Sequence, residues 1–257
     1  MLGGIRLEVR RDFPFAARHA SRSAPPRGVA QGPNIGPSGG FANAGDGGMA
    51  ERLVMLGAGG HGRALIELLR DLGTYDLAGL VDAAPKGPAM LGVPVLGDEA
   101  VLPGLRAGGV GLACIAIGDP AARLAAAARL AALGFRFPVL VHPAAVRAGS
   151  AEVAEGTVVL PRAVLGAAAR IGRFCIVNTG AILEHDVVLE EGAHCGPGSV
   201  LPGGVRVGAR ALVGAGAACR PYVTIGAGAV VGVGAAVTED VAPGAVVAGV
   251  PARPLPG

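Results

Sequence analysis

The sequence predicts an α/β half-Rossmann unit followed by a left-handed parallel β-helix of hexapeptide repeats, and two patterns carry that prediction. From Val153 to Val237 every sixth residue is aliphatic or Cys, fifteen positions without a break. The residue four places after each, from Thr157 to Val241, is small or β-branched. Upstream, the apolar run Leu53-Val54-Met55-Leu56 leads straight into Gly57-Ala58-Gly59-Gly60-His61-Gly62. A stretch with Leu65, Leu68, Leu69 and Leu72 at helical spacing follows.

A period of six matches neither the 3.6 of an α-helix nor the 2 of a strand. It marks a β-helix in which each hexad forms one flat wall of a triangular coil. The aliphatic position points inward and stacks on its equivalent eighteen residues away, so fifteen hexads make five coils over residues 141–241, with 242–257 as a tail. Glycine is frequent directly after the aliphatic residue, as at Gly166, Gly196 and Gly214, and is expected there to accommodate the corners of the triangle. Flat walls rich in Ala and Val favour side-by-side packing of prisms. The closed threefold solution predicts a homotrimer.

Residues 49–140 read as a nucleotide-binding unit. The strand, glycine turn and helix at 53–72 fit the G-x-G-x-x-G fingerprint, and Asp82 lies 20 residues beyond Gly62 at the end of the next strand, Leu77–Val81. A third strand near Leu112–Ile117 ends at Gly118-Asp119, where Pro120 opens an Ala/Leu-rich helix running to about Leu133. This is half of a doubly wound fold and suits a mononucleotide better than NAD. The turn has two readings: a cradle whose free N–H groups meet a phosphate, or a tight strand-to-helix connection with no ligand.

The composition suits thin, regular layers, with 45 Gly, 20 Pro, no Trp and 3% aromatics. Residues 1–48 hold six Arg against three acids, and Pro-Pro, Gly-Gly and Gly-Pro pairs with little periodicity. They are expected to be a disordered leader, with Met49 a candidate start. The remaining chain carries sixteen basic and sixteen acidic residues, a neutral body that gives no electrostatic reason to expect nucleic acid or an anionic membrane as partner. No apolar run approaches the roughly 20 residues of a spanning helix, and the chain is expected to be soluble and cytoplasmic. Cys114, Cys175, Cys195 and Cys219 lack C-x-x-C spacing and read as small reduced hydrophobes.

Two of the five His fall within the repeat, both off its inward positions. His185 sits in Glu184-His185-Asp186, where flanking carboxylates can orient an imidazole and raise its basicity, as a general base requires; His194 follows nine residues later. Residues 52–253 resemble the bacterial sialic acid O-acetyltransferase and UDP-4-amino-sugar N-acetyltransferase family. The resemblance is carried by Gly57-Ala58-Gly59-Gly60-His61-Gly62, Asn178-Thr179, His185-Asp186, His194 and Gly249-Val250-Pro251-Ala252-Arg253. It implies a trimer that binds acetyl-CoA in clefts between prisms, with no metal. In it His185 takes a proton from the acceptor amine or hydroxyl and Asp186 polarises the ring. His194 is implied to contact the acetyl thioester, and the backbones of Ala215 and Val233 to hold the coenzyme. Gly59, Gly60, His61, Asp82 and Gly118 match contacts to a nucleotide sugar, with a sialic-acid-like acceptor as the other class. His142, at the junction of the two parts, is expected to be structural.

The expected reaction is direct transfer, because Cys195, the candidate nucleophile for a two-step route, falls on the inward column. Two other classes stay open on the sequence. One is a zinc-dependent hydratase of the β-helix type, for which only His185 and His194 are available where three His are wanted. The other is a non-catalytic trimer that binds a nucleotide sugar.

Overall fold

The computed structural model describes residues 50–255; the leader expected over residues 1–48 lies outside the described residues. The described residues open with a strand, β1 (Glu51–Leu56), a helix, α1 (Gly60–Leu72), and a second strand, β2 (Tyr75–Val81). Strands β3 (Ala89–Met90) and β4 (Val93–Gly97), helix α2 (Leu102–Ala107), strand β5 (Leu112–Ile115) and helix α3 (Pro120–Ala132) complete the first part. The sheet order is β3-β4-β2-β1-β5, parallel except for β3. β3 and β4 extend it beyond the three strands read from the sequence. Leu65, Ile66, Leu68 and Leu69 of α1 are buried, and Gly73 closes the helix in the left-handed conformation that favours glycine.

The repeat forms three parallel sheets of two-residue strands, each pairing with the strand eighteen residues away: Val177 with Cys195, Cys195 with Val213, Val213 with Val231. Both inward columns behave as the period requires. From Val159 to Val237 each aliphatic position is at most 9% exposed, and each small position from Thr157 to Val241 at most 7%. The stack also takes in Leu140–Val141 before the first hexad and Val246–Ala248 after the last.

The corners are built differently from the expectation. The left-handed residue lies three places after the aliphatic one, at Gly180, Gly198, Gly216 and Gly234, and also at Phe174, Asp186 and Tyr222. The glycines directly after the aliphatic residue are not left-handed; they admit the close approach of the next coil. A Cβ at Gly214 would lie 2.7 Å from the backbone of Gly232 and Val233, and one at Gly166 2.6 Å from that of Glu184.

The outer face of one wall packs on the α/β part. Val158 and Leu160 join the cluster of Leu53, Leu65 and Leu80, and Phe174 meets Phe137 edge to face with centroids 5.0 Å apart. A second wall presents Val146, Val164, Ile182 and Val200, none of them buried. Among the described residues no helix is long and apolar enough to cross a membrane.

Candidate active site

The carboxyl ends of β1 and β5 flank the point where the sheet order reverses, which is where open parallel sheets admit ligands. The glycine turn follows β1 there, and its glycines divide into two kinds. Gly57, with φ 106°, and Gly62 are needed for packing: a Cβ would come within 2.9 Å of the Ala116 carbonyl at the first and 2.8 Å of the Gly57 carbonyl at the second. Gly59 and Gly60 are exposed and face open space, as does the Cβ direction of Gly118 in the loop after β5. The first turn of α1 has neither a side-chain cap nor an acid, which leaves its N–H groups to an anion. Asp82 braces this turn, its carboxylate accepting from the Ala58 N–H at 2.7 Å and the Ala84 N–H at 2.8 Å.

His61, at the start of α1, and His194, on the prism wall facing the sheet, come together with Arg123 of α3. Burial pushes both imidazoles down to about 4. For His61 the nearby His194 and Arg123 add to the fall; for His194 Arg123 does, with the Gly118 carbonyl acting the other way. Both rings are neutral at physiological pH. The Asn178 side-chain Oδ1 accepts from the Thr179 N–H at 2.8 Å, so its Nδ2 faces His194 Nε2 at 3.3 Å. His61 Nε2 and His194 Nδ1 are buried without a hydrogen-bond partner.

These low values have a consequence for stability. The unfolded chain binds protons on these rings near the ordinary value of 6.5, the folded one only near 4, so unfolding takes up protons between the two. Stability from this source is complete above pH 6.5 and is lost as pH falls from 6.5 to 4, by up to about 3 kcal/mol per ring. Denaturant unfolding across that window should show a shallower acid loss for His61→Gln/His194→Gln than for the parent chain; parallel curves would contradict the assignment.

Arg123 is a residue that no sequence pattern marked. Its side chain is 1% exposed and donates to four carbonyls: Phe174 from Nε at 2.8 Å, Ile117 and Gly118 from Nη1 at 2.9 and 2.8 Å, and Gly192 from Nη2 at 2.7 Å. Burial pulls it down only to about 10, so it stays cationic.

His185 occupies a different edge of the prism. Its Nδ1 lies 2.9 Å from Asp186 Oδ2, and the ring is 54% exposed. Asp186 stands at a left-handed corner, φ 59°, which turns its short side chain back toward the ring. A carboxylate accepts only, so Nδ1 carries the hydrogen and Nε2 is left as a base. The Cε1–Nε2 edge passes over Gly203, one coil further on; a Cβ there would lie 2.4 Å from both atoms.

Ala215 and Val233 succeed each other on the edge that begins at Asn178, with the Gly234 N–H donating to the Ala215 carbonyl at 2.9 Å; Val233 is 80% exposed. One prism thus groups Gly59, Gly60, His61, Gly118 and His194 around its junction with the sheet, while His185 and Asp186 stand on another edge. Cys195 is fully buried, and burial raises its thiol well above the ordinary range. His142 accepts from the Ala144 N–H at Nδ1 and meets Asp71 at 2.8 Å through Nε2, tying α1 to the first coil. Among the described residues no group of three or more His, Cys, Asp and Glu is placed to hold a metal ion.

Residues 52–130 match the family described as the PglD N-terminal domain. Perosamine N-acetyltransferase from Caulobacter crescentus, solved as a histidine-to-asparagine variant with CoA and GDP-perosamine, is 40% identical with a TM-score of 0.77; the match covers 80% of this chain and 97% of that one. The acetyltransferase domain of PglB from Neisseria gonorrhoeae, in complex with acetyl coenzyme A, is 37% identical with a TM-score of 0.75, covering 80% and 99%. WeeI from Acinetobacter baumannii is 26% identical with a TM-score of 0.70, covering 79% and 99%. No curated protein matches the chain.

Proposed function

The chain belongs to the hexapeptide-repeat sugar acetyltransferases, and from that premise we propose that it transfers the acetyl group of acetyl-CoA to the amine of a nucleotide-linked amino sugar. The observation that carries the reading is the His185–Asp186 pair, in a chain similar over nearly its whole partner's length to an enzyme that holds CoA and GDP-perosamine. His185 Nε2 takes the proton that the acceptor nitrogen sheds as its bond to the thioester carbonyl carbon forms. The C–S bond then breaks, and the coenzyme leaves as a thiol once its sulfur has gained a proton. Asp186 holds the Nδ1–H tautomer and stabilises the imidazolium. His194, neutral and held at Nε2 by the Asn178 amide, lines the cleft beside the thioester.

In this reading the acceptor's nucleotide binds at Gly59, Gly60, His61, Asp82 and Gly118, with its phosphates on the bare first turn of α1. Acetyl-CoA runs past His194, Ala215 and Val233. Because His185 stands on a different edge of the prism from those residues, a neighbouring copy completes each cleft. The unburied aliphatic wall from Val146 to Val200 supports a homotrimer.

The test is thiol release from acetyl-CoA on addition of nucleotide-linked amino sugars or free sialic acid. Turnover is expected with an amine-bearing nucleotide sugar and not with free sialic acid; no release with any acceptor would overturn the reading. Asp186→Asn keeps a side chain that tolerates the left-handed corner and removes only the carboxylate charge. Its kcat should fall about tenfold, with the KM for acetyl-CoA unchanged.

A further inference from the structure

Arg123 sits where hydrocarbon would serve as well for simple packing. Its neighbours on α3, Ala126, Ala127 and Leu130, are buried apolar residues, and Phe174 beneath it belongs to the same cluster. Burying a guanidinium is unfavourable, and apolar replacements of buried charged groups often stabilise a fold. What the guanidinium adds is direction: a planar fork of donors holds four acceptors at once in fixed relative positions.

The identity of those acceptors is informative. Ile117 and Gly118 form the loop after β5, where Gly118 belongs to the proposed acceptor site. Phe174 and Gly192 lie on successive coils of the prism, Gly192 two residues before His194. One cation therefore ties the floor of the acceptor site to the strand that presents His194. Gly192 adopts a left-handed φ of 70° and lies against the Leu124 side chain of the same helix.

We infer that Arg123 is a positioning residue: it locks the Ile117–Gly118 loop to the coil bearing His194 and so sets the acceptor nucleotide at a fixed distance from the acetyl donor. This rests on the reading of the site given above. Arg123 touches neither reactant; it acts through the two backbone segments it joins.

Arg123→Met and Arg123→Lys in the full chain, compared with Leu130→Ala, test it. Leu130 is fully buried on the same helix and makes none of these bonds. Below the melting temperature of every variant, Arg123→Met should raise the KM for the nucleotide sugar and lower kcat about tenfold or more, leaving the KM for acetyl-CoA within about twofold. Arg123→Lys should recover part of the loss, while Leu130→Ala should leave both KM values in place despite its lower melting temperature. Matching kinetics for Arg123→Met and Leu130→Ala would overturn the inference. Hydrogen exchange keeps the test separate from the functional reading and from any failure of Arg123→Met to fold. In Arg123→Lys, exchange should accelerate selectively in residues 117–119 and 192–194. Uniform acceleration would overturn the inference even if the parent chain turned over no acceptor at all.

Discussion

His185→Ala is expected to lower kcat by between about a hundredfold and ten-thousandfold, the range that a positioned general base supplies. The ring is 54% exposed and its polar contact is with Asp186, itself 67% exposed, so the fold loses almost nothing with it. Melting temperature and the KM for acetyl-CoA should therefore stay where they are while turnover collapses. Steady-state kinetics beside a thermal melt reads both. An unaltered kcat would remove His185 from the reaction and assign the proton transfer to another group.

Gly203→Ala should be damaging too, to a smaller degree, through a contact that involves no chemistry. The new methyl would lie 2.4 Å from Cε1 and Nε2 of His185 and 3.1 Å from Cδ2. Because the ring is at the solvent edge, it can swing away cheaply, and in doing so it leaves both Asp186 and the acceptor. The expected signature is a kcat loss of about ten- to a hundredfold with no change in melting temperature. Gly87→Ala, where the added methyl meets nothing within 4 Å, is the matched control and should behave as the parent does. Equal activity in both variants would show that the ring is not held where Gly203 lets it lie.

These predictions mark where the sequence was legible and where it was not. The prism could be read because every inward position declares itself independently: each column is one class of residue, aliphatic or Cys in the first and small or β-branched in the second, repeated at a fixed interval, so no three-dimensional knowledge is needed to see it. The glycine turn, Asp82 and the His185–Asp186 pair were also visible, since each is local along the chain. Even so, the glycines of the hexads carried a different duty from the one expected of them. They make room for the next coil's backbone, while the left-handed corner falls two residues later and is filled at Asp186 by the very acid that touches His185.

What escaped the sequence depends on contacts between distant segments. Arg123 bonds carbonyls 51 and 69 residues away, and along the chain it is one more Arg in an Ala/Leu-rich helix. Gly203 meets His185 only because one coil separates them. His61 and His194 belong to different parts of the molecule, and their meeting is a product of how the sheet packs on the prism. The four Cys were readable by their place in the pattern, three of them on inward positions, and all four are buried free thiols.

The most direct test of the account is to supply acetyl-CoA labelled in its acetyl carbons together with a nucleotide-linked amino sugar and to follow the label by mass spectrometry. The account predicts label in amide linkage on the intact nucleotide sugar, with one free thiol released per label transferred. Label that stays on the coenzyme with every amine-bearing acceptor, or leaves it as free acetate, would contradict it.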